Sequence, residues 1–288
     1  MMDRMDLPAG VRVGALALTL VAALALGGPA AAQPALTVGL DGTFAPHAMP
    51  RMGGGVEGFN VDMANEIAKR LGRPVNIVAQ EWAGLIPGLQ AKRFDFMVAP
   101  TTVTAERAKS LLFTEGYLNT DYQFILKKDA ADIVRLEDLK GKTISVNRGS
   151  IYDTWGRDNA QKYGFSVENY STQTDAIQAV LAGRAFANLA GNTVQAWAVK
   201  KTPALKLSYT IKTGLVWAIP FRRDDVAMRN QVEAVVECMK LDGVFARLSE
   251  KWFGVKPEPG SAAVTVFPGW GQPGFEGHIA ETHTPTCK

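Results

Sequence analysis

Two short apolar runs, LTVGL at 36–40 and VNIVAQ at 75–80, enclose a stretch with a different period. In FNVDMANEIAKRLG (59–72) the apolar residues Val61, Ala64, Ile67, Ala68 and Leu71 recur at helical spacing, and Gly72 stops the run. A strand, a helix and a strand in succession form a βαβ unit, whose strands run parallel and whose helix must cover one face of the sheet. EWAGLIPGLQAKR (81–93) continues as a second helix with Leu85, Ile86 and Leu89 on one side, and DFMVAP (95–100) as the next strand. The alternation then restarts. TISVNRG (143–149) reads as a strand opening into the helix SIYDTWGRDNAQKYG (150–164), followed by strand VENYST (167–172) and helix QTDAIQAVLAGR (173–184). FANLAGN (186–192) and TVQAWAVKK (193–201) add a strand and a helix. The second run reads as an α/β unit of its own. The β-rich segments YQFILKK (122–128) and GLVWAIPF (214–221) flank it and read as two crossings between lobes. Helices within 224–243 and 244–254 close the fold. From residue 256 on, Pro, Gly, Thr and Ser predict an extended tail with little regular structure.

The first 32 residues stand apart. Arg4 and Arg12 give a weakly basic head, 13–26 (VGALALTLVAALAL) is apolar without a charge, and Gly27, Gly28 and Pro29 precede Ala30-Ala31-Ala32. These are the three parts of a secretory signal peptide, with Gln33 as the expected first mature residue. The alternative is a membrane anchor, but the run is shorter than the roughly 20 residues a helical span requires. The segment holds two Arg and two Asp, so the net charge of +3 is the same with or without it. So mild a charge does not suggest nucleic-acid binding. The chain is expected to be exported to the periplasm and to act as a monomer. Cys238 and Cys287 are the only cysteines. An even count in an exported chain favours one disulfide, the alternative being two free thiols. No Cys/His cluster suggests a metal, and no cofactor is expected. His47, His278 and His283 are scattered, and the last two, in the polar tail, are expected to be solvated.

Gly53, Gly55 and Gly58 satisfy G-x-G-x-x-G, yet PHAMPRM precedes them where a dinucleotide fingerprint needs a strand, so a flexible turn is the better reading. Arg107 in VAPTTVTAERAK (98–109) is more informative. With Thr104 as N-cap, the arginine falls in the first helical turn, where the backbone already carries partial positive charge. A bound anion would offset the mismatch: the guanidinium offers a planar fork to a carboxylate, and Thr102 a hydroxyl. The alternative is a surface pair with Glu106 or Glu115. Gly149-Ser150, where a strand gives way to a helix, is a second such place, or a plain helix cap. Phe44 and Trp82 follow strands at the same sheet edge and could hold a planar or apolar ligand body, although either alone fits a core.

With these residues in hand, the chain resembles the family 3 solute-binding proteins of bacterial ABC importers. The resemblance spans roughly 36–254 and rests on VEGFNVDMANEIAKRLG, LIPGLQAKRFDFMVAPTTVTAERAKSLLFTEGY, LEDLKGKTISVNRGS and LDGVFARLSEKWFG. It implies a type II periplasmic binding protein clamshell of two α/β lobes joined by two crossing hinge strands, closing on a ligand and docking on permease subunits. The expected division is signal peptide 1–32, first lobe 33–122 and 217–255, second lobe 123–216, and C-terminal extension 256–288. The resemblance places the ligand carboxylate on Arg107 and Thr102, with a backbone contact at Pro100, which as proline keeps only its carbonyl. It puts the aromatic lids on Phe44 and Trp82, a ligand-reading acid on Asp41, and the second-lobe helix start on Ser150 and Ile151. The acid that usually meets an α-ammonium falls on Gly191, followed by Asn192. The missing acid leaves three options: Asp41 or another group replaces it, the ligand has no ammonium there, or the gap admits a bulkier ligand. The expected role is capture of a small organic carboxylate, an amino acid or derivative. A dehydratase of prephenate-like acids on the same fold, or a ligand sensor, is the alternative. The disulfide would pin the tail to the first lobe.

Overall fold

β1 (Leu36–Leu40) buries Leu36, Val38 and Leu40 at the centre of the first lobe. The computed structural model describes residues 33–287; the expected signal peptide at 1–32 lies outside the described residues. A small hairpin of β2 (Met49–Pro50) and β3 (Val56–Glu57) leads to α1 (Phe59–Arg70) and β4 (Val75–Ala79). A 3-10 turn at Trp82–Gly84 precedes α2 (Leu85–Gln90), then β5 (Phe96–Met97), β6 (Thr101–Thr102), α3 (Ala105–Ala108) and β7 (Leu111–Phe113). β8 (Leu118–Lys127) crosses to the second lobe, built from β9 (Thr143–Asn147), α4 (Ile151–Tyr163), β10 (Ser166–Tyr170), α5 (Gln173–Leu181), β11 (Ala187–Gly191) and α6 (Asn192–Lys201). β12 (Leu205–Ala218) returns, and β13 (Pro220–Arg222), α7 (Val226–Leu241) and α8 (Val244–Phe253) complete the first lobe.

The first sheet has the order β4-β1-β5 and is parallel, in register from Leu36 opposite Val75 to Leu40 opposite Ala79. α1 covers it with Val61, Ala64, Ile67 and Ala68, the side chains its period selects. The second sheet has the order β10-β9-β11-β8-β12-β6, with β9 parallel to both neighbours and β8 antiparallel to β11 and β12. Its last strand, β6, belongs to the first lobe and pairs through Trp217 opposite Thr102 and Ala218 opposite Thr101. β8 and β12 therefore tie the lobes together as a continuous antiparallel ladder.

Two elements differ from their sequence reading. The return crossing begins at Leu205, not near Gly214, and its ladder with β8 carries two register shifts, after Leu207 and after Ile211. KLSYTIK alternates polar and apolar residues, which is the pattern of a half-buried strand, but the continuous apolar run after Gly214 overshadows it. The helix expected over 81–93 is only a 3-10 turn plus six residues. Pro87, which lacks an N–H, is accommodated in its first turn.

Among its described residues the tail has one isolated bridge, Trp270 to Ile279, and no helix or strand, in keeping with its composition. It is nonetheless fastened. Cys238 on α7 is disulfide-bonded to Cys287. Lys240 donates to Glu115 Oε1 (2.5 Å), the Gly116 carbonyl (2.6 Å) and the Thr265 carbonyl (2.8 Å) in a buried site. His283 is not solvated: it stacks on Trp270 at 3.6 Å and meets buried Glu237 at 2.8 Å. Glu233 accepts from the N–H groups of Glu115 and Gly271, and its burial pushes the carboxyl up to about 8 against the pull of those donors and of Arg229. Between its ordinary value of 4.5 and about 8, this group is protonated in the folded chain and ionised in the unfolded one. Its contribution to stability therefore falls as pH rises through that window and is flat on either side. In denaturation midpoints measured from pH 4 to 9, Glu233→Gln should lose that part of the slope, at most ~1.4 kcal/mol per pH unit. An unchanged slope would contradict the assignment.

Candidate functional site

The parallel strands of both sheets end at the same cleft. β1 delivers Asp41 and Phe44, β4 delivers Trp82, and β9 delivers Asn147 and then Ser150. Strand C-terminal ends at the junction of α/β units are where ligand crevices form. Here Asp41, Phe44, Trp82, Pro100, Thr102, Arg107, Ser150 and Ile151 line one small cavity together with Asn147 and Tyr152.

Hydrogen bonds join the lobes around the cavity. Trp82 Nε1 donates to the Gly149 carbonyl at 2.9 Å, Asn147 Nδ2 to Asp41 Oδ2 at 3.0 Å, and the Gln173 N–H to Thr43 Oγ1 at 3.2 Å. Behind it, His47 bridges Asn60 Oδ1 and Thr193 Oγ1, each at 2.8 Å. Because Asn60 Nδ2 donates to the Val98 carbonyl and to Tyr117, its oxygen faces His47 Nδ1 and accepts from it. Burial lowers the His47 pKa to about 3, so the ring is neutral. Phe44 and Trp82 are both nearly buried, at 7% and 8% exposure, so they belong to the core and line the cavity at once.

Arg107 sits as the sequence places it, with Thr104 Oγ1 accepting its N–H. α3 is a single turn, however, so the helix dipole is slight. The guanidinium donates to the Thr102 carbonyl at 3.0 Å and lies 5.4 Å from the centre of the Trp82 ring. The alternative surface pairing fails on both counts, because Glu106 pairs with Lys109 and Glu115 with Lys240. Among the described residues Arg107 has no carboxylate partner. Burial lowers its pKa, offset in part by Tyr122 and Tyr152. Thr102 Oγ1 accepts from Trp217 Nε1 at 3.1 Å and keeps its own proton to donate. Ser150 does cap α4, accepting the Asp153 N–H at 3.2 Å, while the first N–H groups of that helix, those of Ile151 and Tyr152, have no intrahelical acceptor.

Asp41 is 2% exposed; its Oδ1 accepts from the Thr43 N–H (2.9 Å) and Thr43 Oγ1 (2.7 Å). Burial raises its pKa, countered by these bonds and by Asn147. Two of the expected residues are not on the cavity. Asn192 lines other surface depressions, with Phe253 and Val255, and accepts the Asp121 N–H at 3.4 Å. Gly191 does not leave a gap for a bulky ligand: a Cβ there would lie 2.7 Å from the Trp217 ring and 2.8 Å from the Tyr152 hydroxyl. Sequence reasoning missed Asn147 and Tyr152. Each is one or two residues from the Gly149–Ile151 turn that it did single out, at positions where a strand end and a helix start both aim side chains into the crevice.

Two α/β lobes on a pair of shared strands, with a polar and aromatic cavity between them, define a type II periplasmic binding fold. Residues 36–255 match the bacterial extracellular solute-binding proteins, family 3, and the chain belongs to that family. It is 31% identical over 221 residues to the L-cystine-binding protein TcyJ of Escherichia coli (strain K12), covering 76% of this chain and 82% of the relative. Among solved structures it is similar to an ancestral arginine-binding protein bound to arginine, with a TM-score of 0.73, 32% identity, and 76% and 98% of the two chains covered. It is also similar to the ancestral amino acid-binding protein AncCDT-1, described as a precursor of cyclohexadienyl dehydratase, with a TM-score of 0.71, 31% identity, and 76% and 95% covered. The chain is thus a solute-binding protein of the amino-acid-binding kind.

The closed packing at Gly191 has a direct test. Gly191→Ala forces the Trp217 ring or Tyr152 to move, at a cost of about 1–3 kcal/mol. Thermal unfolding should show a Tm lower by several degrees, and an unchanged Tm would contradict the packing described.

Proposed function

We propose that the protein is the periplasmic receptor of an ABC importer, which captures a small organic carboxylate between its lobes by hinge closure and delivers it to a membrane permease. The observation that carries this reading is Arg107, a partly buried guanidinium on the cavity wall with no carboxylate partner among the described residues. A buried charge without a partner is costly, and a ligand carboxylate held by two parallel N–H···O bonds removes that cost. In this reading Thr102 adds a hydroxyl donor, the Ile151 N–H meets the carboxylate from the second lobe, and Phe44 and Trp82 hold the body of the ligand. The Pro100 carbonyl is left as an acceptor. The receptor role and an amino acid or derivative as ligand are supported by the family and by relatives named for binding cystine and arginine.

Closure is supported by the bonds that already span the cleft, Trp82 to Gly149 and Asn147 to Asp41. They form only when the lobes meet, so they add to the closed state whatever the ligand contributes. The likeness to a dehydratase precursor makes turnover the competing outcome. A receptor returns its carboxylate unchanged, and product formed from a prephenate-like acid would overturn the proposal.

Calorimetry on Arg107→Ala should show binding lost, or weakened by at least about a hundredfold, with the melting transition of the unliganded chain retained. Arg107→Lys keeps the charge but not the fork and should recover only part of the affinity. Equal affinity in all three proteins would refute the site.

A further inference from the structure

Of the ten residues that line the cavity, only Asp41 and Arg107 carry a charge at neutral pH. Neither has an ionic partner among the described residues, and they do not pair with each other. Arg107 instead bonds to the Thr102 carbonyl and lies over the Trp82 ring. Asp41 is fixed elsewhere, by Thr43 in its own lobe and Asn147 in the other. Its Oδ1 takes two donors, whereas Oδ2 takes only Asn147 and has room for one more. The cavity therefore carries a fixed cation and a fixed anion at separate places, on a lining otherwise rich in aromatic and apolar side chains.

The surroundings of Arg107 matter as much. The groups next to it are the Thr102 carbonyl, the Trp82 ring and the Tyr122 and Tyr152 phenols, with no carboxylate among the described residues. The space beside Gly191 is closed by Trp217 and the Tyr152 hydroxyl. An α-ammonium is one carbon away from its carboxylate. With that carboxylate on Arg107, the ammonium would be held close to the guanidinium, repelled by it and offered only neutral oxygens. A cation several bonds further along the ligand escapes this repulsion and can reach Asp41.

We propose that the site selects carboxylates whose positive charge is remote, such as ω-amino and ω-guanidino acids, over the corresponding α-amino acids, with Asp41 as the residue that selects the remote cation. The proposal rests on the reading of Arg107 as the carboxylate anchor. Matched probes separate the two: 6-aminohexanoate against L-lysine, 5-guanidinopentanoate against L-arginine, hexanoate as the carboxylate alone, and cadaverine as the amines alone. Calorimetry on the purified protein should give 6-aminohexanoate or 5-guanidinopentanoate at least tenfold tighter binding than its α-amino counterpart and than hexanoate. In Asp41→Asn the ratio between 6-aminohexanoate and hexanoate should fall close to one, whereas a merely structural role would weaken both alike. Tighter binding of L-lysine and L-arginine, equal binding of hexanoate and 6-aminohexanoate, or no binding of any probe would overturn the selection for a remote cation. Cadaverine binding as tightly as 6-aminohexanoate would overturn the carboxylate anchor itself.

Discussion

Everything in this molecule hangs on the ladder between β8 and β12. β8 leaves the first lobe, β12 returns antiparallel to it, and the last residues of β12 pair with β6. Because they are shared, the parallel strands of each lobe are held with their C-terminal ends facing one crevice. The same strands seat Trp217, whose indole reaches Thr102 and whose ring lies 4.8 Å from that of His47 and 6.4 Å from that of Phe44. The floor of the cavity is thus built on the connection between lobes.

Against that rigid floor the cavity is electrostatically incomplete. Elsewhere a buried charge is met by its opposite, as Lys240 is by Glu115. Arg107 and Asp41 are exceptions, satisfied by neutral groups alone. Charge left unpaired inside a fold is unfavourable to stability and is characteristic of sites that complete themselves with a ligand. The C-terminal extension follows the opposite logic. It lies beyond the family match; the disulfide, His283 on Glu237 and the Gly277 carbonyl on Arg229 bind it to α7, and Phe267, Gln272 and Ala262 bind it to Glu115, Gly116 and Asn119 where β8 begins.

The alternation of helical and strand periods made the two α/β units legible, because periodicity reports burial and burial is what layers the fold. Arg107 drew attention as a cation in the first turn after Thr104, but α3 is a single turn and the dipole argument slight; its lack of a carboxylate partner among the described residues is visible only in the fold. The first half of β12 carries the alternation of a half-buried strand, overshadowed by the continuous apolar run after Gly214. Gly191 was legible as a missing acid but not as a filled space. What fills it, Trp217 and the Tyr152 hydroxyl, comes from positions distant in sequence. His283 was misread for the same reason, because nothing near it in the chain announces Trp270 or Glu237 as neighbours.

The central claim is that the unpaired guanidinium of Arg107 is completed by a ligand carboxylate. A crystal structure of the protein with its tightest-binding carboxylate tests it most directly. The account predicts both carboxylate oxygens within about 2.7–2.9 Å of the Arg107 guanidinium nitrogens, with the lobes closed as described. A ligand whose carboxylate faces solvent, or is held elsewhere while Arg107 bonds only to Thr102, would contradict it.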